Sequence, residues 1–210
     1  GGRASRRRMA RKRIVLFCFN PDGYDASLRK QERKIKGMNE KIDRSAFRNL
    51  SYGLYIVTSR DGSQMNGQVV NTVIQVTSAP PRIAVIINKD NFTHELIFKS
   101  KVFSASVLKE SAPMAFFGPF GFKSGRDFDK LSNVAFKEGV TGCPLITEHA
   151  LSVLEAEVVN EIDLGTHTVF IGAVVSSEVL EEGNPLTYQY YHQVLKGKSP
   201  PRAPTYEAKK

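Results

Sequence analysis

The residues best suited to binding a ligand lie in three polar segments, each near the end of a predicted strand. The first segment interrupts an apolar run with Asn71 and Thr72, and Gln75 and Thr77 follow before two prolines. These side chains could hydrogen-bond a polar ligand that lies along the strand. They could equally form the solvent-facing half of an alternating strand. Spacing alone leaves both interpretations open.

The second segment, residues 88–94, joins a predicted strand to a predicted helix. A helix N-terminus offers unpaired N–H groups and partial positive charge, which suits an anion. Lys89 would add a full charge to such a site, and Thr93 would add a hydroxyl. The alternative is that Asn91 serves only as the N-cap of the helix.

The third segment, residues 118–131, has the sequence GPFGFKSGRDFDKL. Glycines, three aromatic residues and three basic residues in one short stretch suit a phosphate cradle beside a stacking surface. A mobile surface loop is the alternative. Of the phenylalanines around this segment, only Phe122 is assigned to the site. The others are expected in the core or at an interface: Phe116, Phe117 and Phe120.

Familiar catalytic and metal-binding signatures are absent from the sequence. It has no G-x-S-x-G elbow, no H-E-x-x-H, no P-loop and no G-x-G-x-x-G after a strand. The histidines are scattered (His94, His149, His167 and His192), so no metal site is expected. Two cysteines without C-x-x-C spacing exclude a built-in zinc or rubredoxin-type iron centre and favour a reducing, cytoplasmic location. Cys143 is expected to be a turn residue rather than a redox thiol.

The net charge of +9 is confined to the start of the 210-residue chain. Residues 1–37 hold twelve Lys/Arg and three Asp/Glu, whereas residues 38–210 hold eighteen of each. The body therefore has no overall charge with which to bind a nucleic acid or a membrane. A basic binding arm and a secretory signal are both possible readings of residues 1–37. We favour a disordered leader, or sequence upstream of a true start at Met38.

Short β-branched and aromatic runs separated by turns predict a mainly β domain at residues 38–195, with a closed or sandwiched antiparallel sheet. Asp61-Gly62 and Asn66-Gly67 predict tight connections. Asp43 is predicted to cap a short first helix, and residues 196–210 are predicted to form a Pro-rich, extended tail. Further helices are predicted at 91–100 and 112–117. Strands are predicted at 53–59, 68–77, 82–88, 102–108, 151–162 and 167–180.

The order of the polar segments resembles one known family. The run NGQVVNTVIQVTSAPPRIAVIINKDNFTHELI, the loop GFKSGRDFDKL, the turn GCPL and the run LEAEVVNEIDLGTHTVFIGAVV are similar to the flavin reductase-like family of FMN-binding split barrels. The similarity extends from about Asp43 to Tyr191 and is greatest to the flavoredoxin, ferric reductase and NADH:rubredoxin reductase group. It implies a six-stranded Greek-key barrel, a homodimer, and FMN, or less often FAD, near the subunit interface.

The resemblance also implies roles for individual residues. Those expected along the flavin ring and ribityl chain are Asn71, Thr72, Gln75, Val76 and Thr77. Those expected near the ribityl-phosphate end are Lys89, Asn91 and Thr93. Those expected at the phosphate are Ser124, Gly125, Arg126 and Lys130, with Phe122 beside it. Tyr190, with Tyr191, lies in a C-terminal segment that approaches the flavin in this group.

His167 is expected on the nicotinamide side of the flavin. It stands in a Gly-Thr-His triplet where relatives often have Gly-Asp-His, so Thr166 removes a carboxylate associated with nicotinamide binding. A buried structural role for His167 is the alternative.

The function implied is an NADH- or NADPH-dependent oxidoreductase. A bound flavin performs the redox chemistry, which explains the missing catalytic motifs. The electrons would pass to free flavin, a ferric chelate, rubredoxin or another redox protein. A non-catalytic flavin-binding electron carrier is one alternative. A nucleic-acid- or membrane-binding module acting through the basic leader is a weaker one.

Overall fold

A computed structural model describes residues 42–206 of the chain. The predictions for the leader at 1–37 and for a domain start at Met38 lie outside these residues. The described chain begins with a short 3-10 helix, Arg44–Asn49. As predicted, Asp43 caps it, because its carboxylate oxygen accepts a hydrogen bond from the backbone N–H of Ser45 at 2.9 Å.

Strands dominate the remaining elements. The strands are β1 Tyr55–Asp61, β2 Gln64–Val70, β3 Val73–Ser78, β4 Pro81–Asn88, β5 Val102–Leu108, β6 Phe136–Glu138, β7 Pro144–Ile146, β8 Ala150–Asp163 and β9 His167–Val179. The helices are α1 Phe92–Ser100, α2 Met114–Phe122 and α3 Tyr188–Gln193. Within the described residues, no helix is long and apolar enough to cross a membrane.

Seven strands form one antiparallel sheet in the order β2-β1-β5-β8-β9-β4-β3, and β6 pairs with β7 in a separate ribbon. The mainly β prediction is confirmed, with seven strands in the sheet where the resemblance implied six. β2 and β3 are the outermost strands, yet only Asn71 and Thr72 separate them in sequence. The sheet must therefore curl until its edges meet. At this seam β2 comes into contact with β4, whereas the Ile86 N–H, which donates to the Thr72 carbonyl at 3.2 Å, continues the β3–β4 ladder by one residue.

Two apolar clusters form the core. The first lies inside the curled sheet, where Val57, Val85, Ile87, Phe103 and Phe170 are fully buried. The second lies where α2 and α3 pack on the sheet, and its buried members include Leu54, Ile56, Leu108, Phe117 and Phe120. The predicted core role of Phe117 and Phe120 is thus confirmed.

Several local predictions need correction. Asn66-Gly67 is not a turn but lies inside β2, because its neighbours pair in register with β1. The strand predicted through 68–77 is two strands, broken at the seam. The helix predicted at 112–117 spans Met114–Phe122 and includes Pro119, because two phenylalanines anchor its far end in the core. The tight connection predicted at Asp61-Gly62 is confirmed: Asp61 pairs with Gln64, and the turn residues are Gly62, at a φ of 59°, and Ser63.

Residues 199–206, named here the C-terminal strap, form turns rather than an extended tail. The Ala203 N–H donates to the Pro200 carbonyl at 2.9 Å, and the Tyr206 N–H donates to the Ala203 carbonyl at 3.0 Å. The phenol of Tyr188 on α3 hydrogen-bonds the Thr205 hydroxyl. The end of the described chain is therefore packed on the domain.

Candidate functional site

A cavity of about 300 Å³ lies beside the seam of the sheet. Four parts of the chain enclose it: strand β2 with Asn71, the turn from β4 into α1, the end of α2 with the loop after it, and the C-terminal strap. The polar and charged residues that line it are Asn66, Gln68, Asn71, Asn88, Asn91, Lys123, Ser124, Lys130 and Arg202.

The charged side chains of this lining are all cations. Lys123, Lys130 and Arg202 contribute three cations, and no Asp or Glu is among the lining residues. Five further lining residues carry side-chain amides, which can both donate and accept hydrogen bonds. The cavity therefore suits an anionic ligand that has a polar edge.

Lys130 is the most constrained of these cations. Its ammonium is buried and donates to the carbonyls of Gly67 at 3.0 Å and Phe120 at 3.3 Å. Desolvation by burial lowers its pKa from 10.5 to about 8. An ammonium has three N–H donors. A bound anion would accept from this group and would compensate its buried charge.

The amide residues of β2 were missed by the sequence analysis. Asn66 donates to the Thr93 hydroxyl at 2.8 Å, and this bond ties β2 to α1. The buried Gln68 Oε1 atom has no hydrogen-bond partner among the described residues, so it leaves an acceptor for a ligand. The sequence analysis missed these two residues because Asn66-Gly67 resembles a turn dipeptide and so concealed the strand.

The loop after α2 passes close to Asn66. A Cβ atom added to Gly125 would meet Asn66 Oδ1 at 2.0 Å, so only glycine allows this approach. Phe122, at the end of α2, lines the cavity and is 56% exposed, whereas Phe117 and Phe120 are 2% exposed. Phe122 thus presents an aromatic surface at the cavity.

The structure brings together six of the predicted cofactor residues. These six line the cavity: Asn71, Asn91, Phe122, Ser124, Gly125 and Lys130. The other predicted residues do not line it: Thr72, Gln75, Val76, Thr77, Lys89, Thr93, Arg126 and Tyr190.

The residues outside the lining have identifiable partners or positions. The Thr72 hydroxyl donates to the Ile86 carbonyl at 3.0 Å. Lys89 pairs with Asp163 at 2.6 Å, and Arg126 pairs with Glu95 at 2.9 Å. Both cations are thus committed to carboxylates of this chain, which reduces what they offer a ligand.

The other five predicted residues outside the lining also have clear positions. Thr93 does not line the cavity, but its hydroxyl accepts the hydrogen bond from the cavity-lining Asn66. Tyr190 packs against the second core cluster. The remaining three residues, Gln75, Val76 and Thr77, lie on the edge strand β3. Gln75 and Val76 are exposed, and the Thr77 hydroxyl donates to the Pro80 carbonyl.

His167 begins β9, and its register partner on β4 is the cavity-lining Asn88. Its Nδ1 atom lies 2.9 Å from the Thr166 hydroxyl, and its buried Nε2 atom has no partner among the described residues. The imidazole of His167, whose Nε2 atom has no partner among the described residues, therefore lies on the strand next to the cavity-lining Asn88.

Two observations concern the buried thiol and the possible metal ligands. Cys143 is buried, and desolvation raises the pKa of its thiol to about 11, so it is a poor nucleophile. Within residues 42–206, no group of three or more His, Cys, Asp or Glu side chains could hold a metal ion.

Comparison with known proteins identifies the family. The flavin reductase like domain matches residues 47–195. A ferric-chelate reductase (NAD(P)H) of Archaeoglobus fulgidus is 49% identical over 165 residues, which cover 79% of this chain and 98% of that protein. A high molecular weight rubredoxin of Moorella thermoacetica is 48% identical over 165 residues, which cover 79% of this chain and 72% of that protein.

Solved structures agree with this assignment. An FMN-binding protein from Thermus thermophilus is 27% identical with a TM-score of 0.59, covering 64% of this chain and 74% of that one. An NADH:FAD oxidoreductase of Streptomyces globisporus, in complex with NAD and FAD fragments, is 26% identical with a TM-score of 0.61, covering 69% and 84%.

The chain therefore belongs to the flavin reductase-like family. It is an NAD(P)H-dependent flavin oxidoreductase that passes electrons to an external acceptor.

Proposed function

We propose that the chain holds FMN in the 300 Å³ cavity and reduces a ferric chelate or a rubredoxin-type protein. The observation that supports this most directly is the lining, which combines three cations, no carboxylate and an exposed phenylalanine. A flavin mononucleotide has the complementary parts, namely a phosphate, a polar ring edge and an aromatic face.

The fit can be assigned to particular residues. Lys130 and the loop at Ser124 and Gly125 would hold the phosphate, because a buried ammonium and close backbone suit a dianion. Gln68 would hydrogen-bond the polar part of the flavin with its unpartnered oxygen. Phe122 would pack against an apolar surface of the ligand.

When bound, the flavin accepts a hydride and releases electrons singly or in pairs. The protein residues bind and orient this group and leave it accessible to the nicotinamide. His167 is proposed on the nicotinamide side, supported by its unused Nε2 atom and its position beside Asn88.

The acceptor is proposed from the two relatives named above, one a ferric-chelate reductase and the other a high molecular weight rubredoxin. The 210 residues contain two cysteines, fewer than a rubredoxin-type iron centre requires. An iron centre that accepts the electrons would therefore lie outside these 210 residues.

A homodimer is proposed because the edge strand β3 exposes apolar side chains, with Ile74 58% and Val76 44% exposed. An apolar, unpaired edge favours association with a second copy. The compartment proposed is the cytoplasm, supported by the unpaired thiol of Cys143.

The test is the visible spectrum of the purified protein before and after anaerobic addition of NADH or NADPH. We expect a yellow protein that bleaches and regains its colour when a ferric chelate or oxidised rubredoxin is added. Extraction and chromatography of the chromophore distinguish FMN from FAD. A yellow protein that neither nucleotide bleaches would favour an electron carrier, and a protein that binds no flavin would overturn the proposal.

The role of His167 has a separate test. His167→Asn should slow reduction by NADH in stopped-flow measurements and leave FMN affinity unchanged. His192→Asn is the matched control, because His192 packs against Tyr188 and Tyr191 away from β9. Equal rates for wild type and His167→Asn would remove this histidine from the nicotinamide side.

A further inference from the structure

The C-terminal strap forms one wall of the cavity. Five consecutive strap residues line it, namely Pro200, Pro201, Arg202, Ala203 and Pro204. This contribution is not part of the family match, which ends at residue 195. The strap therefore adds a wall and a cation to the site from outside the matched domain.

Hydrogen bonds at both ends hold the strap in place. The Tyr188 phenol bonds the hydroxyls of Ser199 and Thr205, and Asn71 Nδ2 donates to the Thr205 hydroxyl at 3.3 Å. Just before the strap, the Tyr191 phenol donates to the Lys198 carbonyl at 2.9 Å. Three prolines restrict the backbone between these ends, so ordering the strap costs less conformational entropy.

Arg202 lies on the cavity side of the turn before α1. Its guanidinium donates to the Asp90 carbonyl at 3.3 Å, and it has no ion pair among residues 42–206. The neighbouring cation of that turn, Lys89, is paired with Asp163 instead. Arg202 is therefore the cation at this turn that has charge available for a ligand.

We propose that the strap closes the flavin site and that Arg202 binds the flavin phosphate, an inference that rests on the proposed function. A guanidinium binds phosphate oxygens in a planar, two-pronged arrangement. Lys130, which donates to Gly67 of β2, lines the same cavity, so two cations from distant parts of the chain would share one dianion. The strap thereby slows flavin release and makes the flavin a resident group rather than an exchangeable substrate.

The experiment compares FMN with riboflavin, which has no phosphate. Arg202→Ala in the full chain should raise the Kd for FMN about tenfold at low salt, the size of one charge-assisted hydrogen bond, and leave the Kd for riboflavin unchanged. Lys198→Ala removes an exposed cation that immediately precedes the strap and does not line the cavity, and it should change neither Kd. Arg202→Ala without effect on FMN, or with equal effects on both ligands, would overturn the phosphate role.

The closing role of the strap is tested by Thr205→Val, which keeps the side-chain shape and removes the hydroxyl bonded to Tyr188 and Asn71. Its dissociation rates for both FMN and riboflavin should rise by similar factors, as measured by stopped-flow flavin fluorescence. Rates equal to wild type would overturn that role, and urea unfolding of the variant verifies that the domain is intact. A wild-type protein that binds neither ligand would instead overturn the proposed function, and the strap inference with it.

Discussion

Replacing Lys130 by methionine separates the cost of burying a charge from its use in binding. Burial lowers the pKa of Lys130 from 10.5 to about 8. At about 1.4 kcal/mol per pKa unit, keeping this ammonium charged at neutral pH costs roughly 3 kcal/mol of folding free energy. Its hydrogen bonds to Gly67 and Phe120 offset about 1 kcal/mol each. Lys130→Met should therefore raise the free energy of unfolding of the flavin-free protein by about 1 kcal/mol at pH 7.

Flavin binding should change in the opposite direction. Lys130→Met removes a charge-assisted hydrogen bond to the phosphate, so FMN affinity should fall at least about tenfold. Urea unfolding of the flavin-free protein measures the first effect, and titration of flavin fluorescence measures the second. Lys198→Met, an exposed lysine, should change neither. A Lys130→Met protein that is less stable than wild type and binds FMN equally well would refute the reasoning.

The same lysine predicts a pH dependence. Between about pH 8 and 10.5 the unfolded chain binds a proton at Lys130 that the folded, flavin-free protein does not. The free energy of unfolding of wild type therefore rises with pH in this window relative to that of Lys130→Met. Below about pH 8 the difference between the two free energies is constant. FMN affinity should fall as the pH passes about 8, because the free site loses a cation. A constant stability difference across the window would contradict this assignment.

Two further predictions concern the loop and the buried thiol. Gly125→Ala should destabilise the protein by about 1–3 kcal/mol in urea unfolding and weaken FMN binding, because its Cβ would displace Asn66. Gly118→Ala, which meets nothing within 4 Å, should be neutral or slightly stabilising. In a Cys18→Ser background, Cys143 should react with a thiol reagent only in the unfolded protein, because burial raises its pKa to about 11. Rapid modification of the native protein would show that the structure around Cys143 opens to solvent.

The sequence predicted the strands well where local signals agree. The connection predicted at Asp61-Gly62 joins β1 to β2 through the two-residue turn Gly62-Ser63, and it was recognisable because an Asp-Gly dipeptide suits a hairpin. Asn66-Gly67 carries a similar local signal, yet it lies in β2. There the pairing with β1 and the approach of Phe120 to Gly67 decide the conformation, and neither depends on local sequence.

The site was predictable only in part, because residues distant in sequence decide which cations are available to a ligand. Lys89 and Lys130 look equally available in the sequence. Asp163, 74 positions from Lys89, pairs with it, whereas Lys130 lies at the cavity. Arg202 was missed for the opposite reason, since a Pro-rich stretch predicts an extended tail. Its position depends on bonds from Tyr188 on α3.

The seam of the sheet has a consequence for how long the folded state survives. There β2 contacts β4, and the cavity-lining Asn71 lies in the two-residue link that joins β2 to β3. Contacts that close a curled sheet join strands already paired elsewhere, so we expect them to form late in folding. A ligand that binds across the seam would then leave the folding rate nearly unchanged and slow unfolding. Bound flavin would in this way give the protein kinetic stability.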